Sequence, residues 1–178
     1  LDATDERLDL WAKCCESGVS ISNIDEMERL FEGFDLCSPN TSVSLTINGN
    51  YWGILAMFLQ TAIRQQNRLF IEQNGKEPNK QEMAEIKARA LSSVRGTVQA
   101  DQLKEQMAQS TLIINLNNSL RMMSDVAEYF VENDIGRFNT VSISGYHIDE
   151  AGSNAITQAA LTLSNGLTYL ELFKERGL

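Results

Sequence analysis

The chain has 178 residues, 43% of them hydrophobic and 22% charged, the composition of one ordinary globular domain with room for a core. Its formal charge of −9 argues against a nucleic-acid partner, because neutralising phosphates requires clustered Lys and Arg that the sequence lacks. No run of about eighteen apolar residues and no charged-then-apolar leader is visible, so neither a membrane span nor secretion is expected, and the cytoplasm is the default location.

The first forty residues read as helical, with Leu8, Trp11, Cys14 and Cys15 at helical spacing and a second short helix over 24–34. The three cysteines, Cys14, Cys15 and Cys37, match neither a disulfide framework nor a zinc site, and the expectation is buried free thiols. After Pro39, "TSVSLTING" alternates as a strand over 42–48, with Ser42, Ser44 and Thr46 on one face and Val43, Leu45 and Ile47 on the other. A long apolar helix is expected over about 51–71, a turn around Gly75 and Pro78, and a helix over 80–92. A second strand covers 96–99, with Thr97 and Gln99 on one face and Val98 on the other, and Asp101 suits the N-cap of a helix from Gln102. Leu120, Met123, Ala127 and Phe130 mark the next helix. "RFNTVSISGYHID" then reads as a third strand over 139–146, with Thr140, Ser142 and Ser144 opposite Val141 and Ile143. Ile156, Ala160, Leu163, Leu167 and Leu170 mark a final helix.

Strands separated by long helical connections are most simply parallel, joined by right-handed crossovers in an α/β sheet or barrel. Such strands should be near-continuously apolar, yet all three carry a small polar face. Two arrangements explain it. The polar parity lines the interior of a closed barrel with space for a threaded polar ligand, or it is the wet face of an open sheet. Three strands cannot close a barrel that takes eight, so the chain reads as a partial (β/α)8 barrel, one piece of a larger assembly.

Ligands meet the carboxyl ends of parallel strands, where Asn48 and Gly49, Gln99 and Asp101, and Tyr146, His147 and Glu150 fall. His147 is the only histidine. A G-x-G-x-x-G turn, a P-loop, a second histidine for a His-rich metal site and a G-x-S-x-G elbow are all missing, which leaves hydrolysis and nucleotide-dependent phosphoryl transfer unsupported.

At these residues "GTVQADQLKE", "SLRMMSDVAEYF", "FNTVSISGYHIDEAG" and "LFEGFDLCSPNTSVSLTING" resemble the substrate barrel of the adenosylcobalamin-dependent acyl-CoA mutases, from about residue 24 to the end except for 75–90. The resemblance implies that the polar strand faces line a tunnel for the pantetheine arm of coenzyme A. It implies coenzyme A contacts from Ser44, Thr46 and Asn139, and an acyl pocket of Gln99, Tyr146 and His147. His147 would hydrogen-bond the thioester oxygen, and Glu150 would lie near the corrin. The implied partners are the rest of the barrel and a cobalamin-binding domain that this chain does not contain; the complete enzyme would be a homo-oligomer.

Gln109 occupies the position where methylmalonyl-CoA mutases resemble one another in an Arg that pairs with the substrate carboxylate. Gln supplies no charge, which is similar to the isobutyryl-CoA mutases, including the form fused to a GTPase chaperone. The expected reaction is therefore interconversion of isobutyryl-CoA and n-butyryl-CoA, against methylmalonyl-CoA mutase-type activity or a non-catalytic acyl-CoA-binding module. The family's cobalt-ligating D-x-H-x-x-G motif is not matched, since Gly145 stands two residues before His147. Isolated as these 178 residues, the segment is expected to fold marginally or self-associate, because parallel strand edges and half a core invite pairing. Sedimentation showing a cooperatively melting monomer is the opposite outcome.

Overall fold

The computed structural model describes residues 18–110 and 112–178, so the expected helix carrying Leu8, Trp11, Cys14 and Cys15 lies outside the described residues. Helix α1 (Ile24–Leu30) starts at Asn23, whose side chain accepts from the Glu26 N–H, and buries Met27. Arg64 and Arg68 hold Glu28, fixing α1 against the long helix α2 (Tyr51–Asn74). Helix α2 turns Tyr51, Leu55, Phe58, Leu59 and Ala62 inward, the i, i+4, i+7, i+8 spacing of one helical face. It ends at Gly75, whose φ of 65° is the left-handed cap that glycine adopts without a Cβ penalty. Asn79 opens α3 (Lys80–Ser93) with a reciprocal capping box to Glu82.

Three parallel strands follow the expected order: β1 (Val43–Leu45), β2 (Gly96–Val98) and β3 (Phe138–Asn139) pair side by side as β1-β2-β3. Between β2 and β3 run the short helix α4 (Gln102–Lys104), a π-helical turn over Glu105–Gln109 and α5 (Leu116–Glu132). After β3 come α6 (Tyr146–Glu150) and α7 (Ala155–Glu175). The helices cover one side of the sheet. Leu45, Val98 and Phe138 point into a core with Phe58, Leu91, Val94 and Phe130, where Phe138 meets Phe58 and Phe130 at ring separations of 5.5 and 5.9 Å. No described helix is long and apolar enough to cross a membrane.

One expectation changes. The third strand is regular only at Phe138–Asn139, and Thr140 lies on the helix side with Phe138 rather than on the polar face. The phase slips after Asn139, so that Val141 packs on the core while the Ser142 N–H still donates to the Gln99 carbonyl at 2.8 Å. A one-residue irregularity of this kind inverts the alternation that a sequence pattern assumes. In α7 the helix is where expected, but Ile156 (83%), Leu163 (70%), Leu167 (62%) and Leu170 (66%) are exposed, and its buried residues are Asn165 and Tyr169. The apolar stripe therefore has no cover among the described residues.

At Gly96 the neighbouring strands leave no room for a side chain. A Cβ there would stand 2.0 Å from the Val43 carbonyl oxygen and 2.8 Å from the Phe138 ring, with φ at 153°. Gly96→Ala is expected to cost roughly 2–5 kcal/mol from clash and backbone strain combined. Urea denaturation would show a lowered midpoint, and an unchanged midpoint would contradict this packing.

Candidate functional site

The register Ser44↔Thr97↔Asn139 places three small polar residues in one row across the sheet, on the face away from the helices. The Asn139 Nδ2 donates to Thr97 Oγ1 at 3.3 Å, and Ser42, Ser44 and Thr46 are exposed along β1. The polar face thus exists as a continuous surface. At its amino-terminal end, Arg95 and Arg137 line a cleft with Thr41, Ser42, Thr97 and Asn139, a positive entrance in an acidic chain.

At the carboxyl end the strands are tied by side chains. Asn48, just past β1, donates from Nδ2 to Gln99 Oε1 at 3.0 Å and accepts from the Asp101 N–H at 3.1 Å. The Gln102 side chain donates to the Asn48 carbonyl at 2.7 Å. Between these contacts Ala100 sits in the left-handed region at φ 50°, its N–H bonded to the Ile47 carbonyl at 2.9 Å. A fully buried alanine there is strained, and such strain collects at functional sites. It turns the chain so that Gln99 stays on the polar face while Asp101 is buried.

Asp101 caps α4 by accepting from the Lys104 N–H at 3.1 Å, as the sequence predicts. The Tyr169 hydroxyl of α7 donates to the same Asp101 oxygen at 2.5 Å and accepts from the Leu103 N–H at 2.9 Å. Burial, with the Asp101 charge beside it, pushes the Tyr169 hydroxyl well above the ordinary tyrosine range, so it remains a proton donor. Asp101, Gln102 and Lys104 are all buried, an unusual depth for two charged side chains.

His147 is the second residue of α6, one turn beyond the irregular strand, and is half-buried. Helix α6 packs on the π-helical turn. Desolvation and then the Lys104 charge hold the His147 pKa below the usual imidazole value, against the opposing charges of Asp101 and Glu105. The Tyr146 ring meets the His147 ring edge to face at 5.4 Å and is itself 62% exposed. Glu150 is exposed one turn along α6, and Gln109 is exposed at the end of the π-helical turn. A Cβ on Gly145 would lie 2.7 Å from Thr162 Oγ1, so an aspartate two residues before His147 would have to displace the Thr162 and Gln158 side chains of α7.

Gln99 and Asn48 stand at the carboxyl ends of the strands and His147 on the helix that follows the third, while Ser44, Thr46 and Asn139 lie on the polar face of the sheet and Gln109, Tyr146 and Glu150 are exposed. The sequence reasoning passed over Lys104, Glu105 and Tyr169. The charged spacing D-x-x-K-E directly after a strand was the available signal for the first two. Cys37, whose thiol is pushed up to about 11 by burial and the nearby Asp35, is no nucleophile at neutral pH. Among the described residues no group of three or more His, Cys, Asp or Glu could hold a metal.

A methylmalonyl-CoA mutase family model matches residues 3–70 and 80–178. The chain belongs to this family. It is 53% identical over 98% of its length to the fused isobutyryl-CoA mutase of Nocardia farcinica (strain IFM 10152), and 49% over 98% to that of Geobacillus kaustophilus (strain HTA426). It is 36% identical over 92% of its length to the methylmalonyl-CoA mutase large subunit of Porphyromonas gingivalis (strain ATCC BAA-308 / W83). The chain spans only 16%, 16% and 19% of those relatives. An α/β chain with three parallel strands is consistent with a partial barrel of this family.

Tyr169→Phe removes the bond to Asp101 and the acceptor for Leu103, and is expected to cost about 1–3 kcal/mol. The denaturation midpoint should fall by a matching amount; an unchanged midpoint would mean that Asp101 is satisfied without Tyr169.

Proposed function

We propose that the protein containing this chain is a radical acyl-CoA mutase that interconverts isobutyryl-CoA and n-butyryl-CoA by 1,2-migration of the thioester group. The observation that carries this reading is the continuous polar row Ser44–Thr97–Asn139 leading to Gln99 and His147. The likeness to fused isobutyryl-CoA mutases at 53% and 49% identity supports it.

On this reading the pantetheine arm lies along the row, where Ser44, Thr46 and Asn139 offer hydroxyl and amide partners to its two amides. Arg95 and Arg137 at the amino-terminal mouth suit the coenzyme A phosphates. Gln99, held by Asn48, and His147 reach the thioester. His147 donates to the thioester oxygen and stabilises the charge that gathers there during migration, while Tyr146 excludes water from the acyl side. Gln109 presents no charge, so a carboxylated acyl group finds no counter-ion.

Tyr146 and Glu150, one turn apart on the exposed side of α6, fit a large planar cofactor, the ring as a flat contact and the carboxylate as an acceptor for amide side arms. Adenosylcobalamin, when bound, supplies the radical that starts the rearrangement. No residue here is assigned to cobalt, since Gly145 stands where a D-x-H-x-x-G motif has its aspartate. The remainder of the barrel, a cobalamin-binding domain and a GTPase chaperone domain belong to the proposed assembly, which is cytoplasmic and homo-oligomeric.

The test is turnover by the full-length enzyme with adenosylcobalamin, comparing isobutyryl-CoA with methylmalonyl-CoA. Isobutyryl-CoA should be preferred, and Gln109→Arg should erode that preference. His147→Gln should lower kcat by roughly a hundredfold, the scale of one lost donor to a developing oxyanion. Preference for methylmalonyl-CoA overturns the substrate assignment, and turnover of neither overturns the reaction.

A further inference from the structure

Gln99 has its main chain fixed on both sides: its N–H donates to the Leu45 carbonyl at 3.1 Å, and its carbonyl accepts from the Ser142 N–H at 2.8 Å. Its half-buried side chain is a primary amide, which by rotating half a turn shows a ligand either an acceptor oxygen or a donor NH2. Which end faces the ligand decides what it can do. The buried Asn48 fixes the choice. A backbone N–H can only donate, so the Asn48 atom 3.1 Å from the Asp101 nitrogen is the acceptor Oδ1. Asn48 Nδ2 then points a donor at Gln99, and the Gln99 atom 3.0 Å away is Oε1. Reversing either amide would set two donors against each other. Gln99 Nε2 is left over, without a hydrogen-bond partner among the described residues.

We infer that Asn48 is a positioning residue for the reaction: it passes on the polarity of the Asp101 N–H and so locks the Gln99 side chain with its NH2 toward the thioester oxygen. This rests on the reading that Gln99 reaches the thioester. An unanchored glutamine would show its oxygen part of the time, lone pair against lone pair, and would have to turn before it could stabilise charge gathering there. With Asn48 in place the donor is aimed before the substrate arrives, the condition for electrostatic stabilisation without reorganisation. Gln99 Nε2 and His147 then give that oxygen two donors. Gln102, donating to the Asn48 carbonyl at 2.7 Å, and the left-handed Ala100 between Gln99 and Asp101 hold the frame in which this happens.

The experiment compares binding of n-butyryl-CoA with that of S-butyl-CoA, in which a methylene replaces the thioester carbonyl, to the full-length enzyme without adenosylcobalamin, so that nothing turns over. The ratio of the two affinities reads the donors at the carbonyl and is blind to a general loosening of the site. Gln99→Met should cut the ratio about fivefold, the scale of one net hydrogen bond. Asn48→Asp keeps the shape and the bond to the Asp101 N–H. At alkaline pH, with the new carboxyl ionised, its second oxygen should draw Gln99 Nε2 to itself and turn the Gln99 oxygen to the thioester, cutting the ratio at least as far. In the Gln99→Met background Asn48→Asp should change the ratio no further.

A folded Asn48→Asp enzyme that keeps the wild-type ratio, while Gln99→Met loses it, overturns the inference. Where the Asn48 variant fails to fold, the wild-type enzyme decides. Solid-state NMR with nitrogen-15 in the glutamine side chains and carbon-13 at the thioester of n-butyryl-CoA should show a dipolar contact that Gln99→Met removes. Its absence from the wild-type complex overturns the inference. An unchanged ratio in Gln99→Met has a different meaning: it overturns the reading that Gln99 reaches the thioester, and the inference falls with it.

Discussion

A buried carboxylate organises this part of the molecule. Asp101 is fully buried, and its oxygen Oδ1 receives both the Lys104 N–H and the Tyr169 hydroxyl. Its own N–H is taken by Asn48, which also holds Gln99. Taking these groups out of water is tolerable only if they satisfy one another, so the knot fixes the ends of β1 and β2, the start of α4 and the middle of α7 together. Breaking any one link exposes the others to an unmet desolvation cost, which makes the network cooperative. The same knot sets where Gln99 stands.

The two ends of the sheet differ in electrostatic character. The amino-terminal mouth carries Arg95 and Arg137 among hydroxyls and amides, while the carboxyl end carries the buried Asp101, Lys104 and Glu105, charges of both signs. In a chain of net charge −9, a local positive mouth is a specific arrangement and not an overspill of basic residues. Between them runs the row of small polar side chains Ser44, Thr97 and Asn139. The acyl-CoA of the proposed function, with its anionic head, polar arm and reactive tip, would meet these environments in that order.

Much of this was legible in the residues. The strand–helix order, the Asp101 cap, the break around Gly75 and the polar parity of β1 and β2 follow from period-two alternation and local turn and hydrogen-bond chemistry. The third strand was not, because its phase slips after Asn139 and alternation carries no sign of a slip. The α7 stripe marks a helix in the sequence, and at these residues it is exposed, because periodicity shows that a face exists and not what covers it. Lys104 and Tyr169 escaped for a different reason. A buried lysine reads as a surface residue in sequence, and the tyrosine reaches Asp101 across a separation of 68 residues.

The hairpin between α2 and α3 lies outside all of these constraints. The family model skips residues 71–79, and from Glu72 to Asn79 every residue but Pro78 is exposed. The α3 cap begins at Asn79 and is complete without the preceding loop, while the Lys76–Glu82 ion pair is a surface contact. Lengthening such a loop adds only about 0.6 kcal/mol of closure entropy per doubling. The tip between Gly75 and Asn79 is thus a natural splice point, where an affinity handle or a fluorescent reporter can be inserted into the chain while the strand order, the knot and His147 stay as they are.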